Sequence, residues 1–74
     1  MKTYLNERVG YTTFEINPDL KIEWHGGSDF YAYRKVNSEW NEWDVFSIMH
    51  VDNLKDAKEF VASWALDNVE EYIL

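Results

Sequence analysis

The sequence predicts an α+β domain in which a small antiparallel sheet of three to four strands is followed by one C-terminal amphipathic helix. Before residue 52, several short segments alternate apolar and polar residues, the pattern of half-buried strands. Turn-forming residues separate these segments. From residue 54 onward there is no proline or glycine, and apolar residues recur at helical spacing. This order, with short links, favours a twisted meander that the helix covers on one face.

Four segments are predicted to be strands. They comprise residues 9–16, 20–25, 30–36 and 43–51. The first link, Asn17-Pro18-Asp19, has the composition of a turn, and the second, residues 26–29, has that of a hairpin loop. In the third strand, Tyr31 and Tyr33 share a face because side chains alternate along a strand. Residues 37–42 are expected to form a polar connection to the last strand.

The helix is expected to start near Asn53. The Asn53 side chain can act as N-cap, and Asp52 and Asp56 are favourable beside the positive end of the helix dipole. The apolar face expected to pack on the sheet contains Leu54, Ala57, Val61, Trp64, Ala65 and Tyr72. The chain has no repeat and no Pro/Gly-rich linker, so residues 1–74 are predicted to form a single domain.

The residue types that most enzymes and metal sites need are scarce. There is no cysteine and there are only two histidines, so thiolate chemistry and a structural zinc site are not expected. Gly26-Gly27 lacks the lysine and the glycine spacing of a phosphate loop. We predict a non-enzymatic protein without catalytic residues, metal site or cofactor. No apolar run reaches signal-peptide or membrane-spanning length, which predicts a cytoplasmic protein without membrane contact.

Aromatic residues are abundant for a chain of this length. There are four tryptophans, five tyrosines and four phenylalanines among 74 residues. A small core cannot bury all of them, and tryptophan and tyrosine are enriched at protein interfaces. We therefore expect a homodimer.

The net charge lies in the second half of the chain. Residues 1–37 contain five acidic and five basic residues, whereas residues 38–74 contain nine acidic residues and two lysines. The second half therefore carries the whole formal charge of −7. Such a surface repels nucleic acid and membranes and attracts basic proteins. We expect the partner to present a basic DNA-binding surface, and we expect no direct binding to nucleic acid.

Acidic residues recur along one face of the predicted helix, and further acids precede it. The candidate partner-binding carboxylates are Asp56, Glu59, Asp67, Glu70 and Glu71 on the helix and Glu39, Glu42 and Asp44 before it. A row of carboxylates on a rigid helix can imitate a phosphate backbone and enter a basic DNA channel. The alternative is a solvated helix face, because every amphipathic helix needs a polar side.

Trp40 is the candidate anchor of this surface. It lies among acidic residues and has no evident place in the predicted core. Tryptophan is over-represented among residues that dominate binding energy, so an exposed Trp40 would supply short-range specificity beside the acids. The alternative is that the indole folds back over the small sheet.

In size, lack of cysteine, acidic charge and aromatic density, the chain resembles the small takeover proteins of bacteriophages. Within that group it looks like the phage inhibitors of the bacterial sliding clamp of the Twort type. The resemblance covers the whole chain in bulk character only, and no motif carries it. It implies an inhibitor that places a DNA-mimicking surface in the channel of the DNA polymerase sliding clamp, in the host bacterial cytoplasm, and so blocks host DNA replication. The chain has no glutamine, so the peptide clamp-binding motif is missing.

Two other classes of function fit the same residues. One is an anti-CRISPR or anti-restriction protein that blocks a nucleic-acid channel, since such effectors hold nucleic acid in positively charged grooves. The other is a structural or regulatory homodimer, or an antitoxin-like protein, whose acidic face is merely solvated.

Overall fold

The computed structural model describes residues 1–69, and for residues 43–50 it describes the backbone alone. The elements are β1 (Lys2–Asn6), β2 (Tyr11–Asn17), β3 (Leu20–Trp24), β4 (Gly27–Val36), β5 (Glu39–Val51) and α1 (Leu54–Asn68). The predicted α+β class is confirmed: an antiparallel sheet precedes one C-terminal helix. The sheet has five strands instead of three to four.

The five strands form an antiparallel meander in the order β1-β2-β3-β4-β5. The additional strand is β1, which lies at an edge and pairs only with β2 within the described residues. Its side chains are mostly exposed, including Tyr4 and Leu5. Because β1 buries no alternating apolar set, its sequence carries little of the pattern that identifies a strand.

A tight two-residue turn joins β4 to β5. Asn37 and Ser38 have φ values of 52° and 66°, the left-handed backbone of a type I′ hairpin turn. This turn lets β5 begin at Glu39, so the predicted connection over residues 37–42 is wrong. The other predicted turns are present: the Asn17 side chain accepts the Asp19 N–H at 2.8 Å, and Gly26, with φ 105°, lies in the β3–β4 hairpin.

The core lies between one face of the sheet and α1. Its buried apolar members are Phe14, Ile16, Leu20, Ile22, Phe30, Ala32, Val51, Ala57, Val61 and Ala65. The alanines of α1 let the helix approach the sheet, and the Phe60 ring packs on Phe30 with centroids 4.9 Å apart. Leu54, expected in this face, is half exposed because it occupies the first helical position. The Tyr72 prediction lies outside the described residues.

Asn53 caps α1 as predicted. Its Oδ1 accepts the Asp56 N–H at 2.9 Å, and its Nδ2 donates to Asp56 Oδ2 at 3.1 Å. The cap satisfies one of the backbone donors that a helix start leaves open and fixes where the helix begins. Within residues 1–69, no helix is long and apolar enough to cross a membrane.

Candidate functional site

One candidate surface is the outer side of α1, here called the helix acidic face and defined by Asp56, Glu59, Ser63 and Asp67. All four side chains are exposed, while Ala57, Val61 and Ala65 are buried against the sheet. At helical spacing the four lie within about 80° of one another, and Asp56 and Asp67 are roughly 16 Å apart along the axis. The face is therefore a narrow row on a capped helix that is anchored to the core.

The carboxylates of the helix acidic face are not neutralised by the rest of the described chain. No lysine or arginine within residues 1–69 forms an ion pair with Asp56, Glu59 or Asp67. Lys55 and Lys58 are exposed, and Lys58 points away from the row, whereas Lys55 lies about 40° from Glu59 at helical spacing without forming an ion pair with it. Asp56 is held by the N-cap, whereas Glu59 and Asp67 have no hydrogen-bond partner in the described part of the chain. The face thus keeps its charge available to a partner.

Asp67 occupies an unfavourable position for its own helix. It lies in the last turn of α1, where no basic residue is present. A carboxylate beside the negative end of the helix dipole costs typically about 0.3–1 kcal/mol at an exposed site. Helix stability therefore gives no reason for an acid here, which favours a role for this charge outside the fold.

The structure does not join all predicted binding residues into one surface. Trp40 pairs with Lys35 and Glu42 pairs with Tyr33, which puts both on the sheet face opposite α1. Trp40 and the helix acidic face therefore lie on opposite sides of the sheet. Trp40 could not be placed from the sequence because its face depends on the register between β4 and β5.

The remaining predicted residues divide between the hairpin tip and the part of the chain not described. Glu39 is exposed and lies at the tip of the β4–β5 hairpin. Asp44 pairs with Ala32 in the backbone register, and its side chain is outside the described set. Glu70 and Glu71 lie beyond residue 69, outside the described residues.

The second candidate surface is the sheet face turned away from α1, here called the open sheet face. Strand alternation and register assign its described members. They are Lys2, Tyr4, Asn6, Tyr11, Thr13, Glu15, Lys21, Glu23, His25, Asp29, Tyr31, Tyr33, Lys35, Trp40 and Glu42. No other element within residues 1–69 packs on this face, because α1 covers the opposite one.

Three stacked rings lie on the open sheet face near the β3–β4 hairpin. The His25 ring lies between Tyr11 and Tyr31, with centroid distances of 3.4 and 4.2 Å and interplanar angles of 7° and 29°. His25 Nε2 is 3.2 Å from Glu23 Oε1. Tyr11 begins β2, Tyr31 lies in β4 and His25 directly follows β3, so the stack runs across three neighbouring strands.

Trp40 extends the aromatic surface towards the β4–β5 hairpin. Two ammonium groups approach its ring, Lys21 Nζ at 4.7 Å and Lys35 Nζ at 5.0 Å from the centroid. Such distances are those of cation–π contacts. The indole is nevertheless 37% exposed, so it lies over the sheet and still offers a surface to a partner.

Tyr33 lies in a partly desolvated and acidic part of the same face. Burial raises the pKa of its hydroxyl above the ordinary 10.0, and the nearby carboxylates Glu23 and Glu42 add to the increase. Lys21 Nζ lies 5.5 Å from the Tyr33 ring and 3.4 Å from Glu23 Oε2. Lys21 and the carboxylates of Glu23 and Glu42 therefore all lie near Tyr33.

Most of the open sheet face was not among the predicted binding residues. Alternation in the third predicted strand placed Tyr31 and Tyr33 together, and the same rule applied to residues 20–25 puts His25 and Lys21 on one side. These residues lie close to Tyr11 and Trp40 only because four strands pair in a particular register. Local sequence patterns do not reveal that register.

Comparison with protein-family models, curated proteins and solved structures gives no match. Function is therefore inferred from the two surfaces themselves.

Proposed function

We propose that this protein is a non-enzymatic inhibitor that binds the basic DNA-binding surface of a partner protein through its helix acidic face. The observation that carries the proposal is the exposed row of Asp56, Glu59 and Asp67, none of which pairs with a cation in the described chain. The row is held on a capped helix, so little backbone conformational entropy is lost when a partner contacts it.

Long-range attraction is the second support for this proposal. The formal charge of −7 on 74 residues draws the protein towards a basic channel and away from nucleic acid and anionic membranes. The attraction is screened over about 8 Å at physiological salt, so binding is expected to weaken as salt is added. Duplex DNA carries one phosphate per about 3.4 Å of each strand, a denser row than the three carboxylates of α1. The helix acidic face therefore supplies part of the affinity, and further contacts must supply the rest.

The bacterial DNA polymerase sliding clamp is the first partner to test, with block of host DNA replication as the consequence. Its support is the resemblance to phage clamp inhibitors in size, charge and aromatic content. A CRISPR effector or a restriction enzyme is the next partner class, since it offers the same channel chemistry. In each case the protein would act in the cytoplasm of a bacterial host.

A matched pair of charge reversals tests the proposal. The variant Glu59→Lys with Asp67→Lys changes the helix acidic face and leaves the Asn53 cap intact. The control Glu7→Lys with Asp19→Lys makes the same change of net charge at exposed turn residues outside α1. We expect the helix variant to bind the purified clamp at least about tenfold more weakly, a loss of about 1.4 kcal/mol. The control should remain near the wild type; equal binding by all three proteins would contradict the proposal.

A structural or regulatory homodimer is the second candidate function, with an antitoxin-like role related to it. The observation that favours it is the open sheet face, which is rich in aromatic residues and uncovered within the described chain. In that case the helix acidic face is only solvated. The immobilised protein should then capture no basic protein at physiological salt.

A further inference from the structure

We infer that the open sheet face is the contact surface of a homodimer, in which two copies stack their sheets and carry their helices on the outside. The occupant is thus a second copy of this chain. The inference gives the proposed dimer a surface, and it does not depend on what the helix acidic face binds.

The residue types of the open sheet face are those of an interface. Tyr11, Tyr31 and Tyr33 are half-buried, and Tyr4 and Trp40 are 46% and 37% exposed. Tyrosine and tryptophan are enriched in protein interfaces because a large apolar ring can be buried while its polar group keeps a partner. The stack around His25 already fixes two of these rings, Tyr11 and Tyr31, so less of their side-chain entropy remains to be lost on association.

Charge distinguishes the open sheet face from the rest of the molecule. Its described members include three lysines and four carboxylates, a net charge of −1, against −7 for the whole chain. Two copies therefore repel each other less through this face than through the helix acidic face, which has three carboxylates and no lysine among its members. In a two-fold dimer the same patch meets itself, so it must be self-complementary. Lysines and carboxylates interleaved on one face meet that requirement, since Lys21 or Lys35 of one copy can approach Glu42 or Glu15 of the other.

The broadest side of the molecule is large enough for a standard interface. The molecule measures 33 × 28 × 20 Å, so a side that spans the two longest dimensions offers at most roughly 900 Å² per copy, against about 800 Å² per partner in a standard interface. Two sheets packed in this way lie about 10 Å apart, as in a β-sandwich.

Single-stranded nucleic acid is the main competing occupant. Aromatic rings beside lysines can stack bases and contact phosphates. Here, however, the carboxylates of the same face and the charge of −7 repel a phosphate backbone. The second copy is therefore the occupant that the chemistry favours.

Sedimentation equilibrium of the full chain tests the inference with two matched variants. Trp40→Glu places a charge in the open sheet face, and Leu66→Glu places the same charge at a half-exposed apolar residue of α1. We expect the wild type to have twice the 8.9 kDa chain mass. Trp40→Glu should raise the dimer dissociation constant at least about tenfold, and Leu66→Glu should leave it nearly unchanged. Far-UV circular dichroism checks that both variants remain folded.

Carbodiimide cross-linking of mixed isotope-labelled copies keeps the inference testable if Trp40→Glu fails to fold. Links between copies should join Lys21 or Lys35 to carboxylates of the open sheet face. Inter-copy links confined to α1, a wild type that stays monomeric up to about 1 mM, or binding of a single-stranded oligonucleotide by a monomer would each overturn the inference. None of these results bears on the Glu59 and Asp67 variants, so the failures of the two proposals are distinguishable.

Discussion

The ammonium of Lys21 lies 4.7 Å from the centre of the Trp40 ring, although β4 separates the strands that carry them. Lys35, on the intervening strand, approaches the same ring. The start of β5 is thereby tied to the middle of the sheet on the side away from α1. Trp40 and the helix acidic face consequently belong to two opposite surfaces, and each can have a different partner.

Removal of the Lys21 charge should weaken the fold modestly. Lys21→Met keeps most of the apolar stem but loses the contact with Trp40 and the ion pair with Glu23. Contacts of this kind contribute about 0.5–1 kcal/mol each at partly exposed sites. We expect a decrease of about 1 kcal/mol in the free energy of unfolding, measured with urea. Lys58→Met, at an exposed lysine of α1, is the control and should change it by less than about 0.5 kcal/mol.

Asn53→Ala should destabilise the protein through the start of the helix. The substitution removes both hydrogen bonds between Asn53 and Asp56. Loss of an asparagine N-cap costs about 0.5–2 kcal/mol, which is a large share of the stability of a small domain. Urea unfolding monitored by circular dichroism measures it. Asn53→Asp retains an N-cap acceptor and should remain within about 0.5 kcal/mol of the wild type; equal losses in both variants would contradict the capping role.

Asp67→Asn should stabilise the fold and weaken partner binding. Neutralising the carboxylate relieves its repulsion with the negative end of the α1 dipole, which is worth about 0.3–1 kcal/mol. Thermal unfolding measures the gain. Glu59→Gln, in the middle of α1, is the control: it should have little effect on stability but a similar effect on binding. A less stable Asp67→Asn protein would show that the carboxylate has a structural role.

The folded protein should lose stability at high pH because of Tyr33. Because the pKa of its hydroxyl is raised above 10.0 in the folded protein, the folded state retains the proton more tightly than the unfolded chain. The contribution is fully present below pH 10 and is lost as pH rises from there through the folded-state pKa. Tyr33→Phe should therefore show a smaller fall in unfolding free energy above pH 10 than the wild type. A fall in Tyr33→Phe as large as that of the wild type would contradict this prediction.

The sequence predicted the parts of the fold that local chemistry determines. Asn53 identified the helix start, Asn17-Pro18-Asp19 identified a turn, and the alternation of residues 20–25 identified a core strand. The missing strand β1 has an edge position and buries almost nothing, so no apolar period reveals it. The early start of β5 depends on positive φ values at Asn37 and Ser38. Because neither residue is a glycine, the sequence does not predict a turn with positive φ at both positions.

The helix acidic face could be predicted from the sequence, whereas the open sheet face could not, because only the second depends on how the strands pair. Helical spacing alone places Asp56, Glu59 and Asp67 on one side, and the structure puts all three there, exposed. The place of Trp40 depends on strand register and on a shift in pairing between Ala32 and Tyr33, which only the assembled sheet defines.

Competition with duplex DNA is the measurement that tests the central claim most directly. The wild-type protein is first bound to the purified sliding clamp. The same experiment is repeated with any further DNA-handling protein that it binds. Each complex is then challenged with duplex DNA and, separately, with a salt gradient. A DNA-mimicking helix face predicts displacement by both, with the Glu59→Lys, Asp67→Lys variant failing to bind at the outset. Retention of the partner in the presence of excess duplex DNA, or undiminished binding by that variant, would contradict the claim that this face occupies a DNA channel.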